Sequence, residues 1–207
     1  MLKSRTLLAR TALALALTLA ATSAAQAGVN IYEADTVHSN VIFKIRHLLS
    51  KATGQFKKYS ATVEIDPEKR DTVNVSATID VASIDTDDAK RDTHLRGEDF
   101  FDVAKFPTIT FTGNKLTGVN AERTKGKLEG TLTIKGVAKP VVLDVEWFGT
   151  AVDPWGNQKA AFSGTTRLNR KDFGIVWNKT LDAGGYLIGE DVDVEINIEA
   201  QLPKPAK

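Results

Sequence analysis

The side chains with most chemical capacity in this chain are three histidines, His38, His47 and His94, together with Ser39 and a scatter of aspartates. There is no cysteine, so a thiol nucleophile and a cysteine-ligated metal are both excluded. Three imidazoles can in principle hold zinc, and a serine with a histidine and an aspartate can form a hydrolase triad. The spacings argue against both. The histidines fall in a turn, at a strand end and in a helix, with no local ligand pattern such as His-Glu-x-x-His. Ser39 lies in no Gly-x-Ser-x-Gly elbow, and no glycine-rich loop is set to cradle phosphate. His38-Ser39 reads as a turn cap. Asp172-Phe173-Gly174 matches the kinase tripeptide by chance, since the other kinase motifs are missing. No catalytic and no metal-ligating residue is therefore assigned. A lipid-ester hydrolase or a histidine metal-binding protein stands as the alternative class.

The stretch Asp35 to His47, closed by Thr53-Gly54-Gln55-Phe56, reads as a turn followed by a strand. Side chains alternate along a strand, so Val41, Phe43, Ile45 and His47 share one face. That apolar row ends in an imidazole, a polar group that needs a partner inside the protein or held by it. Alternation recurs along the chain: Val29–Glu33, Tyr59–Ile65, Val73–Val81, Ile109–Phe111, Leu128–Ile134, Val141–Trp147, Ala160–Leu168 and Val192–Leu202. Pro140 is placed at the opening of a strand. Residues 116–125 read as a turn-rich connection, and Asp153-Pro154-Trp155-Gly156 fits a type I turn. One helix is expected between Asp85 or Thr86 as cap and Gly97, with Asp87 and Asp88 in its first turn. It is mostly polar and reads as a lid or plug, not as a core element. Eight or nine alternating strands joined by short turns predict an all-β fold, an antiparallel sandwich or barrel with one short helix.

Residues 1–27 have a three-part pattern: Lys3, Arg5 and Arg10, then an Ala/Leu/Thr run, then Ala25-Gln26-Ala27. That is the pattern of a secretory signal peptide, with an apolar run too short to span a bilayer. The chain carries 27 Lys+Arg and 26 Asp+Glu. Without the three basic residues of the segment, 24 basic face 26 acidic side chains, a net charge of −2. Scattered charge near neutrality does not suit nucleic-acid binding. The remaining residues, 28–207, suit one domain with a sizeable core.

Several motifs then fall in order: Asp35-x-x-His38-Ser39-x-x-x-Phe43-x-x-x-His47, Gly54-x-Phe56, Arg91-Asp92-x-His94-Leu95, Asp99-Phe100-Phe101-Asp102, Phe106-Pro107 and Asp172-Phe173-Gly174. Together they resemble the YceI-like family of polyisoprenoid-binding exported proteins, over essentially all of residues 28–207. The resemblance implies an eight-stranded antiparallel lipocalin-like barrel, a periplasmic location, and an elongated cavity for an isoprenoid-type lipid such as a polyprenyl phosphate or quinone. No cofactor beyond such a lipid is implied. The expected partner is a small-molecule lipid, with no nucleic acid; transient membrane contact and a homodimer of paired barrels are further expectations. Phe43, Ile45, His47, Phe56, Trp147, Phe162 and Trp177, inward or aromatic, are the candidate cavity residues. Arg91 and His94 are the candidates for its mouth. N-terminal sequencing of the exported protein is expected to start near Gly28; Met1 at the terminus of the exported form would refute the cleavage.

Overall fold

The computed structural model describes residues 28–66, 70, 73–182 and 184–203. The proposed signal peptide lies outside the described residues. Eleven strands, all antiparallel neighbours, form one sheet in the order β1-β4-β5-β7-β8-β9-β10-β11-β2-β3-β6, and β1 also pairs with β11. The segments are β1 Asn30–Ala34, β2 Asn40–His47, β3 Ser50–Phe56, β4 Tyr59–Ile65, β5 Val73–Asp80, β6 Ile84–Asp85, β7 Thr108–Thr117, β8 Lys125–Ile134, β9 Val137–Val152, β10 Gln158–Asn169 and β11 Ile188–Gln201.

Eleven segments make eight staves because three staves are broken. β1 and β2 lie in tandem on the same edge of β11, through Ala34↔Ala200 and then Asn40↔Asn197. Their neighbours β4 and β3 are likewise two pieces of one stave, as are β5 and β6. The lower ring, β1-β4-β5-β7-β8-β9-β10-β11, closes through the β1–β11 pairing, so the fold is an eight-stranded antiparallel barrel.

The three breaks sit side by side. Residues 35–39 bulge out against Glu199, whose carbonyl accepts from the Ser39 hydroxyl and whose N–H donates to it, both at 3.0 Å. The next break is bridged by Lys57 N–H to the Ser83 carbonyl and Lys58 N–H to the Ser83 hydroxyl. Above the breaks, β2, β3 and β6 continue as a flap in which β6, among the described residues, pairs only with β3. The helix and the segment after it fill the gap between β6 and β7.

The helix, α1, spans Ala89–Arg96. Its cap is Asp88, whose carboxylate accepts from the Lys90 and Arg91 N–H groups at 3.0 Å. Asp85 or Thr86 was the expected cap, with Asp87 and Asp88 inside; instead Asp87 has φ 60 and stands outside. Thr86 is engaged elsewhere, accepting from Arg91 and donating to the buried carboxylate of Asp92 at 2.6 Å. Gly97 ends the helix as expected. Few apolar residues hold α1 down, so polar groups do the holding. Arg96 donates to the carbonyls of Ala82 and Ile84, each at 2.8 Å.

Other boundaries differ from the periodicity reading. Ser50–Phe56 is a strand that the alternation did not reveal. Residues 116–117 belong to β7 and residue 125 opens β8. Pro140 lies inside β9, yet β9 pairs with β10 only from Asp144 onward, so its missing N–H faces an unpaired stretch. Two packed groups fill the wall. Tyr32, Val63, Ile65, Phe111, Leu128 and Leu143 pack low in the barrel; Val41, Phe56, Val81, Ile84 and Ile109 pack beneath α1.

Arg96→Met would leave two edge carbonyls unpaired and release α1. The expected cost is about 2 kcal/mol in denaturant unfolding, with faster amide exchange confined to residues 84–96. Unchanged exchange there would show that the guanidinium does not hold the helix.

Candidate ligand-binding cavity

The barrel is not filled. A cavity of about 660 Å³ runs inside it, from His47 and Trp177 at the α1 end to Trp147 and Arg123 at the opposite end. Its size lies in the usual range for small-molecule sites.

All nine candidate residues border this one cavity. Phe43, Ile45 and His47 come from β2 and Phe56 from the end of β3. Trp147 comes from β9, Phe162 from β10, and Trp177 from the loop before β11. Arg91 and His94 reach it from α1, together with Leu95. Gly54 of the Gly-x-Phe motif has a packing role: a Cβ there would run into the Phe43 ring and Thr86.

Aromatic rings mark three levels. At the α1 end, His94 meets both Phe100 and Trp177 edge-on, with centroids 4.9 Å apart in each case. The His94 Nε2 is 2.8 Å from Asp99 Oδ2, which fixes the ring. In the middle, Phe43 and Phe56 lie 5.7 Å apart and Phe101 adds its edge at 6.0 Å from Phe56. At the far end Trp147 and Phe162 pack at 4.9 Å, and the Arg70 guanidinium lies 5.8 Å over Trp147. The His47 imidazole receives no hydrogen bond from a described residue; the cavity is its neighbour.

Sequence reasoning missed three further polar members of the wall. Tyr59, Arg70 and Arg170 all border the cavity, and each has a buried side-chain atom with no hydrogen-bond partner among the described residues. Arg170 is 5% exposed. It donates to the carbonyls of Gly189 and Ile175, pinning the loop that carries Trp177, and burial lowers its pKa. Tyr59 was legible as the first residue of an alternating row. Arg170 had no signal beyond its place two residues before Asp172-Phe173-Gly174, where Phe173 is buried and Gly174 ends a 3-10 turn at φ 75.

The histidines do not converge. Among the described residues, the trio of ligand-type side chains that could meet at one ion is Asp35, His38 and Glu199, without His47 or His94. Lys159 already lies on both of its carboxylates, at 2.7 and 3.2 Å. The three-histidine site is therefore not assembled. Ser39 gives its hydroxyl to the Glu199 backbone, and no histidine bonds it among the described residues, so the triad is not assembled either.

The YceI-like domain model matches residues 32–200. The chain belongs to the YceI-like family. A UPF0312 protein of Vibrio cholerae is 36% identical over 179 residues, covering 85% of this chain and 88% of the relative. The crystal structure of the YceI protein of Campylobacter jejuni superposes with a TM-score of 0.67 at 37% identity, covering 82% of this chain and 96% of that one. A domain from Saccharophagus degradans, described as polyisoprenoid binding, shares the fold at TM-score 0.60 and 16% identity, covering 83% and 98%. The YceI-like motifs thus have visible tasks here. Asp35 to Ser39 knits the bulge, Gly54 admits Phe43, Asp92 anchors α1, and the Asp172 motif closes a turn.

Asp35 anchors the bulge. Its carboxyl is held far below the usual range, chiefly by the hydrogen bond from Lys159, then by His38 and the Val37 N–H. A lowered native pKa stabilises the fold above the unfolded value near 3.9, and that contribution fades as pH falls toward the native pKa. Asp35→Asn is expected to cost about 1–2 kcal/mol at pH 7, with the gap to wild type narrowing steadily as pH falls from about 5 to 2, read by denaturant unfolding across pH. A constant gap down to pH 2 would refute the linkage.

Proposed function

We propose that this protein is a non-enzymatic carrier or sequestering protein of the periplasm, which takes up one long isoprenoid-type lipid in its barrel. The observation that carries the reading is the apolar cavity of about 660 Å³ inside a closed wall. The relevant free energy is burial of hydrocarbon. At about 0.8 kcal/mol per methylene, a five-carbon unit contributes roughly 4 kcal/mol gross. A few units offset association costs of about 4–15 kcal/mol without any charged or catalytic group. The YceI-like membership supports the reading, and the description of the Saccharophagus degradans domain agrees with it.

In this reading Phe43, Ile45, Phe56, Trp147 and Phe162 contact the tail. His47, Arg91, His94 and Trp177 border the α1 end, where polar groups fix the lipid's headgroup. The ligand class includes polyprenyl phosphates and quinones.

Gly164 gives a clean test. It borders the cavity, and a Cβ there would meet Leu143, Val145 and Ile196 only at 3.9–4.0 Å, ordinary contact distance. Gly164→Leu should fill the tunnel while leaving the melting temperature within a few degrees. Uptake of farnesol, followed by tryptophan fluorescence, should fall at least about tenfold, the equivalent of roughly 1.4 kcal/mol. Mass spectrometry of extracts from the protein purified from its host should find a prenyl lipid in wild type and much less in the variant. Equal loading of the two, or no lipid in either, would sink the carrier reading.

A further inference from the structure

The hairpin joining β2 to β3 is built against the rules of its own turn. His47 pairs with Ser50, leaving a two-residue tip of Leu48 and Leu49. Such tips favour Asn and Gly, because left-handed backbone is needed there. Leu48 takes φ 49 despite its side chain, and Leu49 is 104% exposed. Neither leucine borders the cavity. Nothing in the fold calls for Leu49 to stand wholly in water beside Leu48, itself 41% exposed.

The tip has apolar company. The Leu48 N–H donates to the Leu187 carbonyl at 2.9 Å, which joins the hairpin to the loop before β11. That loop exposes Val176 (63%) and Tyr186 (53%). The tip is also flanked by positive charge. No acidic residue occurs from Thr36 to Val63, a stretch that includes Lys44, Arg46 and Lys51. Arg46 donates to the Leu48 carbonyl at 3.2 Å. Lys44 is paired with Glu195, and Lys51 and Arg167 share the carboxylate of Asp193 with Asp191 nearby, so the positive charge without an ion pair beside the tip, among the described residues, is that of Arg46.

The position matters as much as the composition. His47, one residue before the tip, and Leu187, hydrogen-bonded to it, both border the cavity. Exposed residues of α1, Lys90, Arg91 and His94, border the same end. A lipid crossing between a bilayer and the cavity would pass here.

We propose that the Leu48–Leu49 tip is a membrane-docking element: the two leucines enter the acyl boundary of an anionic bilayer, the basic flank meets the lipid phosphates, and the α1 end of the cavity is held against the surface. The match of a basic flank to anionic headgroups selects this occupant. A second copy of the chain is a poorer fit, because a convex two-residue tip offers far less than the roughly 800 Å² per partner of a stable interface. The direction of lipid exchange rests on the carrier reading; the docking itself does not.

The test compares the full chain with its Leu48→Asn/Leu49→Ser and Arg46→Glu/Lys51→Glu variants by vesicle flotation. Vesicles of phosphatidylethanolamine and phosphatidylglycerol at 3:1 are set against pure phosphatidylcholine. Residues 1–27 are common to every protein compared, so differences report the hairpin. Wild type should float with the anionic vesicles and be released by high salt. The leucine variant should lose at least about tenfold in partitioning while melting no lower than wild type, since Asn suits φ 49. The charge variant should lose binding to the anionic vesicles alone. Farnesol delivered from cyclodextrin should still load the leucine variant. If it loads neither protein, the carrier reading falls, while flotation still decides the docking. Equal flotation of wild type and the leucine variant overturns the proposal. So does light scattering that finds a dimer which the leucine variant dissolves, because the tip would then be a protein contact.

Discussion

The structure depends on one missing ladder. Where β5 passes through a short 3-10 turn into β6, the wall stops pairing with β7. An unpaired sheet edge inside a protein is costly, because each orphaned carbonyl forfeits a hydrogen bond it would make in water. Arg96 supplies two donors to that edge, and Asp92 accepts from the Thr86 N–H at 2.9 Å. A mostly polar helix thereby substitutes for a strand. This explains how α1 can sit over a greasy interior with Asp92 as its buried residue. It is attached by directed polar bonds more than by an apolar stripe, and such bonds hold without sealing the space beneath.

The empty interior follows from the same layout. An eight-stranded barrel has just enough room for side chains to fill it or for one small ligand. Here the upper staves are displaced at the aligned breaks. The large rings also pack laterally against each other more than across the lumen. Phe43 lies over Gly54 of the neighbouring stave, and Phe111 lies against Gly113 and Gly130. Gly164 and Ala61 then leave space on the lining. Rings over glycines keep the wall dense while the axis stays open.

Much of this was legible in the sequence. Strict alternation in Val73–Val81 and Val192–Leu202 reports a wall with one apolar face, whatever lies beyond it. The family motifs then supplied a cavity, which alternation alone cannot distinguish from a packed core. Each miss has its own cause. β3 was invisible because its inward positions include Ala52 and Gly54, the latter small so that Phe43 can lie over it. The helix cap was placed early because Asp85, Asp87 and Asp88 all suit a cap. Geometry gave the role to Asp88, while Asp85 turned its carboxylate to the Asp87 N–H. Arg170 was missed because no local pattern signals a guanidinium whose partners, Ile175 and Gly189, are loop and strand carbonyls. The nine candidate residues lie on one cavity because alternation and aromatic type both select for the inside of a barrel. Which of them touch the headgroup is a matter of ligand chemistry that periodicity does not carry.

The bulge at residues 35–39 shows what opening a barrel costs locally. A regular ladder would satisfy Glu199 with backbone groups. The bulge instead spends both bonding capacities of the Ser39 hydroxyl on the Glu199 N–H and carbonyl. Tyr59 begins β4 close to Ser39. Its hydroxyl is buried without a well-placed partner, and burial raises its pKa above the ordinary phenol value. The Ser39 hydroxyl opposes that rise while itself bonded to the Glu199 backbone. The Asp35, His38, Glu199 and Lys159 cluster concentrates charge at the same level, offsetting through ion pairs what the ladder gave up. The buried phenol and the ion-pair cluster both lie where the wall leaves regular pairing.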